Sequence, residues 1–326
     1  MSEPITPATG QQYWIQAGAY RACISSVGAS LRVLRHEQGD LLLPFDANRL
    51  RPGFHGAVLA PWPNRIVDGR YHHAGTTEQL PLTEVARGHA LHGLVCWQEW
   101  TAVEEGEHHV TLHTEIAPQP GYPHRLRLLQ RYLLDEQGLH GSLEVTNLGN
   151  EPAPFGNSIH PYFVAGNAPA DQWTLQLPAD LVLLADEKRL IPEELAPVDE
   201  HREFDFRTAR RLESQAIDHA FGGLRHDSEG TVTISLVNDH GQGVQLAFSA
   251  EDFRWVQVYT SDDEPPAAHR AAVAIEPMTC PPDAFNSGTD LIHLAPGQPV
   301  ENHWSVSAVK APALATGAPS VAQHLP

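Results

Sequence analysis

Cysteine is scarce in this chain. Cys23, Cys96 and Cys280 are three in number, with no short spacing between them. That excludes a disulfide framework and gives no zinc-site pattern, and it fits a reducing cytoplasm. Positive charge is also scarce. There are 21 basic residues against 40 acidic ones, a net charge of −19. Nucleic acid and anionic membranes both demand basic surface, so neither is expected as a partner. No apolar run approaches the ~18 residues of a membrane span. Residues 1–10 lack a basic region followed by an apolar one, so no signal peptide is expected. Internal repeats and low-complexity blocks are missing as well.

What remains is a long series of short alternating segments. Val110, Leu112, Thr114 and Ile116 share one face of a strand, as do Val232, Ile234 and Leu236, and Trp304, Val306 and Ala308. Asp135-Glu136-Gln137-Gly138 and Asn238-Asp239-His240-Gly241 read as turns joining strand pairs. The pattern predicts an all-β fold, a sandwich or barrel, with apolar residues at 41%, enough for a sizeable core. One domain is expected over residues 11–310, with loose ends at 1–10 and 311–326. The only helix expected lies around Phe206 to Gln215.

The chemistry centres on Val273-Ala274-Ile275-Glu276-Pro277, followed by Met278-Thr279-Cys280-Pro281-Pro282. An apolar run delivers a lone carboxylate, Glu276, and the prolines should end the strand there. An isolated glutamate would be a solvated strand end. A second stretch, Phe155-Gly156-Asn157-Ser158-Ile159-His160-Pro161-Tyr162-Phe163, changes that weighting. It presents His160 in a stiff aromatic setting, and a carboxylate base with a histidine acid can move two protons across one substrate.

Other stretches are weaker signals. Pro61-Trp62-Pro63-Asn64-Arg65 offers an indole face for a sugar's C–H groups and donors for its hydroxyls. Trp62 packed inward is the competing reading. His92-Gly93 places a histidine where the glycine permits close backbone approach. Asp218 precedes an apolar anchor and reads equally as a turn aspartate. Gln257 shares a strand face with Tyr259 and needs a hydrogen-bond partner if it faces inward. The pairs His72/His73 and His108/His109, and His89 with His92, do not complete a metal-ligand set, so no metal is expected and the paired histidines read as solvated.

In order, Pro-Asn64-Arg65-Ile, Leu-His92-Gly, His160-Pro-Tyr-Phe, Asp218-His-Ala-Phe, Gln257-Val-Tyr-Thr and Glu276-Pro with Pro-Asp-Ala-Phe-Asn resemble the aldose 1-epimerase (galactose mutarotase) family. The resemblance covers roughly Tyr13 to Val309. It implies a large twisted β-sandwich and a cofactor-free isomerase acting on a small-molecule sugar, as monomer or homodimer. It implies Glu276 as general base, His160 as general acid, and Asn64, Arg65, His92, Asp218 and Gln257 as substrate-binding residues. Many members carry a second histidine after the acid, where this chain has Pro161. Two alternatives share the fold: an epimerase for hexose 6-phosphates and a non-catalytic sugar-binding protein. A phosphate-specific enzyme would need a dedicated basic cluster, so free sugars are the expected substrates.

Overall fold

Alternating side chains decide the architecture. Along His109–Ile116, Leu126–Leu134, Thr231–Val237 and Gly243–Ser249, buried residues recur at every second position. A strand with one apolar face must bury that face against another layer. The computed structural model, which describes residues 6–265 and 268–309, meets this with two large antiparallel sheets.

The 9-stranded sheet runs in the order Thr101–Glu105, His109–Ile116, Leu126–Leu134, Leu139–Asn147, Pro299–Val309, Gly243–Ser249, Thr231–Val237, Thr174–Gln176, Arg210–Arg211. The 8-stranded sheet runs Pro192–Pro197, Ala179–Ala185, Asp218–Leu224, Trp255–Tyr259, Val273–Met278, Ser158–Ile159, Val58–Leu59, with Tyr162–Phe163 also pairing with Val273–Met278. Leu112, Leu128, Val145 and Val306 of the first sheet and Val256, Val258, Val273 and Ile275 of the second join one buried cluster. A smaller 4-stranded sheet built from Gln12–Ala17, Tyr20–Ser25, Ser30–His36 and Gly39–Asp40 packs into the same cluster through Ile15, Ile24 and Leu34. The fold is therefore all-β, a large twisted sandwich. Both turns expected from Asp135–Gly138 and Asn238–Gly241 join hairpin strands.

Two local expectations are corrected. Phe206 to Gln215 is not a helix. Phe206 and Leu212 are buried, and Arg210–Arg211 pairs with Thr174–Gln176 at the edge of the large sheet. Two apolar anchors six positions apart do not sustain a helical stripe, so edge pairing prevails. The strand carrying Glu276 does not stop at Pro277 but runs to Met278. Ile275 donates its N–H to Pro161 O and Thr279 donates to Asn157 O, so position 277 faces the same side. That side is where Ser158–Ile159 and Tyr162–Phe163 are interrupted by His160 and Pro161, and the missing proline N–H falls in the gap.

The expected tail at 311–326 lies outside the described residues. Of the expected loose start, Thr9 is buried and bonded to Ala47 O through both its N–H and its hydroxyl. All three cysteines are buried free thiols. No helix among the described residues is long and apolar enough to cross a membrane.

Candidate active site

The site is written across one face of the 8-stranded sheet by strand register. Asp218 faces Tyr259, Tyr259 faces Ala274, and Ala274 faces Tyr162. In the adjacent row Ala220 faces Gln257 and Gln257 faces Glu276. Because side chains alternate, these rows project to one face while Phe221, Val256, Val258, Val273 and Ile275 project into the core. A shift of one residue in any of these strands would send its polar member inward.

Two loops complete the face. Arg65–Val67 pairs with His89–Leu91, which sets Asn64 and His92 side by side at the strand ends. Both take left-handed backbone, with φ of 52° and 60°. The left-handed region is uncommon for residues with a Cβ, though asparagine and histidine enter it more readily than most, and such backbone gathers at functional sites. It is held by a reciprocal pair of bonds: His92 N–H donates to Asn64 O at 2.8 Å, and Asn64 N–H donates to His92 Nδ1 at 3.1 Å. With Nδ1 accepting, the His92 proton sits on Nε2. Gly93 is required behind it, since a Cβ there would lie 2.1 Å from Ala60 O.

These elements enclose a cavity of about 200 Å³ lined by Phe54, Asn64, Arg65, His92, His160 and Glu276, with Tyr162, Asp218 and Tyr259 among its other walls. That is below the ~300–1,000 Å³ typical of drug-sized ligands, and it suits one monosaccharide ring.

At its floor His160 Nε2 lies 3.3 Å from Glu276 Oε1, with the side chains 6% and 2% exposed. Burial pushes the Glu276 carboxyl well above the usual carboxylate range, with Asp218 adding to the rise and Arg65 opposing it. Burial pushes His160 down to about 3, with His55 and Arg51 acting in the same direction. Both shifts disfavour charge on the two groups, and His160 Nε2 and Glu276 Oε1 lie close enough for a proton to pass between them. Glu276 Oε2 and His160 Nδ1 are buried with no partner. An unpaired buried polar atom is costly, and here both belong to residues that line a cavity.

Arg65 is clamped. Its Nε and Nη2 donate to Glu84 at 2.8 and 3.0 Å, Nη1 donates to Asn64 Oδ1 at 3.3 Å, and Asp218 Oδ2 lies 4.0 Å away. Gln257 does not line this cavity. It stands behind Asp218, donating Nε2–H to Asp218 Oδ1 at 2.6 Å, which satisfies one side of the inward-facing amide. The Pro281-Pro282-Asp283 loop ties the exit of the Glu276 strand to the Arg65 strand. Asp283 N–H donates to Arg65 O, and Asp283 Oδ1 accepts from Val67 N–H.

The structure thus brings Asn64, Arg65, His92, His160, Asp218 and Glu276 to one cavity and sets Gln257 at its back. Trp62 is not there. It is buried, donates to Ala90 O at 3.2 Å and packs against Phe285, because the flanking prolines turn it inward. Nor is His89 solvated: it is fully buried, accepting from Asp68 N–H and bonded to Arg189 O. Sequence reasoning missed Phe54, His55, Glu84 and Arg87. Phe54 and His55 sit in Arg51-Pro52-Gly53-Phe54-His55-Gly56, whose Pro and Gly around aromatic residues were the available signal. Glu84 carried none, since its pairing with Arg65 depends on the fold.

His92, His160 and Glu276 offer ligand atoms within 4.8 Å of one another, so the same set could hold a metal ion.

The sequence model of the family described as Aldose 1-epimerase matches residues 11–307. The chain is 36% identical over 292 residues to the uncharacterized protein YihR of Escherichia coli (strain K12), covering 89% of this chain and 91% of that protein. Its fold superposes on the GalM/aldose epimerase homologue from C. elegans with a TM-score of 0.81, at 18% identity, covering 93% of this chain and 99% of that one. The galactose 1-epimerase from Lactobacillus acidophilus NCFM superposes with a TM-score of 0.74, at 21% identity, covering 90% and 92% of the two chains.

Proposed function

We propose that this chain, which belongs to the aldose 1-epimerase family, interconverts the α and β anomers of a free aldose by acid–base ring opening and reclosure. The observation that carries the proposal is the buried His160–Glu276 pair, 3.3 Å apart on the floor of a cavity sized for one sugar ring. Glu276 takes the proton of the anomeric hydroxyl while His160 gives a proton to the ring oxygen. The bond between C1 and the ring oxygen breaks and leaves an open-chain aldehyde. After rotation about the C1–C2 bond, His160 takes its proton back from the hydroxyl that closes the ring. Glu276 then returns its proton to the oxygen on C1. Protons balance over the cycle, and no other group is consumed.

The geometry suits this. In this cycle the pair carries one proton, on His160 before ring opening and on Glu276 after it. The His92 Nε2–H is available to the oxygens near C1, and Arg65, Asn64 and Asp218 are placed to hold ring hydroxyls and so orient C1 between acid and base. Gln257 acts at one remove by fixing Asp218.

Polarimetry on freshly dissolved pure anomers tests the reading. A panel of free hexoses and pentoses, with glucose 6-phosphate alongside, should include at least one free sugar whose mutarotation the protein accelerates. Spontaneous rates across the whole panel would sink the proposal. A higher kcat/KM for glucose 6-phosphate than for free glucose and galactose would move the substrate class.

A further inference from the structure

We propose that Phe54, braced by Trp97 and Arg51, is the wall on which the sugar's C–H face rests, which makes it a substrate-binding residue of the mutarotase site proposed above. The hydroxyl-binding groups leave this role open. Asn64, Arg65, Asp218 and Glu276 can all meet hydroxyls, but a sugar ring also has a face of C–H groups, and that face is best met by the electron-rich face of an aromatic ring. Phe54 lines the cavity. Its ring lies 4.5 Å from His92 at 61° and 6.1 Å from His160 at 24°, so it runs nearly parallel to the acid's imidazole.

Behind Phe54 stands Trp97, 6.0 Å away. Arg51 lies over the Trp97 ring, 4.2 Å from its centroid. The Arg51 guanidinium is buried, 3% exposed. Its partners are neutral: Cys96 O at 2.7 Å, Gly53 O at 3.3 Å, Val27 O at 3.5 Å and the Ser30 hydroxyl. Among the described residues no carboxylate comes within ion-pair distance of it. Gly28 makes the space for this, since a Cβ there would lie 2.6 Å from Arg51 Nη1 and 2.3 Å from Cys96 O. A buried cation without an acid is costly, yet burial lowers its pKa only to about 10, so it stays charged at neutral pH. What it does there is lock Gly53 and Trp97 on either side of Phe54. The same loop is tied to the acid, because Gly56 N–H donates to His160 O and His160 N–H donates to Ala57 O. Phe54 and His160 are therefore tied through one hydrogen-bonded loop. A sugar resting on Phe54 is registered against the proton donor.

The test is titration calorimetry with glucose and galactose on the full chain, alongside mutarotation rates. Phe54→Ala should raise Kd and KM roughly tenfold, the scale of one aromatic contact, with a smaller change in kcat. Phe54→Leu keeps an apolar side chain without a π face and should lose about as much. Phe54→Trp should recover most of the affinity. Trp97→Ala should show the same KM-dominated pattern at smaller amplitude. A folded Phe54→Leu or Phe54→Ala variant with Kd within about twofold of wild type, well inside one such contact, overturns the proposal. Wild-type protein that binds sugar without speeding mutarotation would overturn the enzymatic reading and leave the Phe54 affinities to decide this one. Wild-type protein that binds no aldose overturns both.

Discussion

Gln257 and Glu276 face each other directly across adjacent strands, yet they are not each other's partners. The Gln257 amide reaches diagonally to Asp218 at 2.6 Å, and Glu276 turns to His160 at 3.3 Å. In the proposed reaction this row divides into a group that fixes a hydroxyl binder and a group that moves protons. The division predicts different kinetic signatures for the two.

Glu276→Gln and His160→Asn should each lower kcat by ~10²–10⁴-fold, the range for a positioned general acid or base. That raises the barrier by roughly 3–5 kcal/mol. Affinity should change far less, and the double variant should be much less than additive because the two act on one transition state. Mutarotation rates beside calorimetric Kd values check this. Glu276→Gln retaining more than about a tenth of the wild-type rate would make that carboxylate a bystander.

Glu84 should behave as a positioning residue. It holds two bonds of the Arg65 guanidinium and also bonds Arg87 at 3.0 Å. Glu84→Gln keeps the shape and removes the charge. A charge-assisted bond is worth ~1.5–3 kcal/mol, so KM should rise about tenfold or more, with kcat less affected. Arg65→Ala should show the same split more strongly. A Glu84→Gln variant with unchanged KM would show that Arg65 is held well enough without it.

Acid stability should depend on His55, which is buried, stacks on Tyr162 at 3.7 Å and is pushed down to about 3 by burial and by Arg51. The unfolded histidine titrates near ~6.5. Between these values the unfolded chain binds a proton that the folded chain refuses, so stability falls as pH drops below about 6.5, by up to ~1.4 kcal/mol per pH unit. His160 acts in the same direction, and the raised Glu276 acts in the opposite one. His55→Phe keeps an aromatic ring for the stacking, removes the His55 contribution and relieves the lowering that His55 exerts on His160, both in the same direction. Thermal midpoints from pH 7 to 5 should fall less steeply in the variant. Parallel slopes would refute the assignment.

Metal should inhibit this site. His92, His160 and Glu276 could be ligands to a metal ion, but the proposed chemistry needs His160 and Glu276 free to carry protons. Chelator treatment should leave mutarotation unchanged, and added Zn²⁺ should slow it in competition with sugar. Loss of activity on chelation, restored by metal, would reverse this reading.

Local pattern was sufficient for the alternation that builds the sheets, the hairpin turns and the presence of a carboxylate and a histidine in stiff settings. Those signals lie within a few residues of one another, where period and turn chemistry act. It erred where neighbours in space decide. The stretch Phe206–Gln215 pairs at a sheet edge, and Pro277 sits inside a strand because the adjacent strand is broken opposite it. Trp62, which the sequence left open between a sugar face and inward packing, is buried, and Phe54 stands in the cavity instead.

By itself the sequence determined the all-β class and the residue types able to carry acid–base chemistry, because side-chain alternation and chemical identity are local properties. Tertiary structure alone decided that His160 and Glu276 meet in a buried pair. Their pKa shifts come chiefly from burial, and burial is a property of the assembled sandwich. It also decided that Glu84 holds Arg65 and that Gln257 serves Asp218, since each of those bonds depends on strands or loops distant in sequence being brought into register.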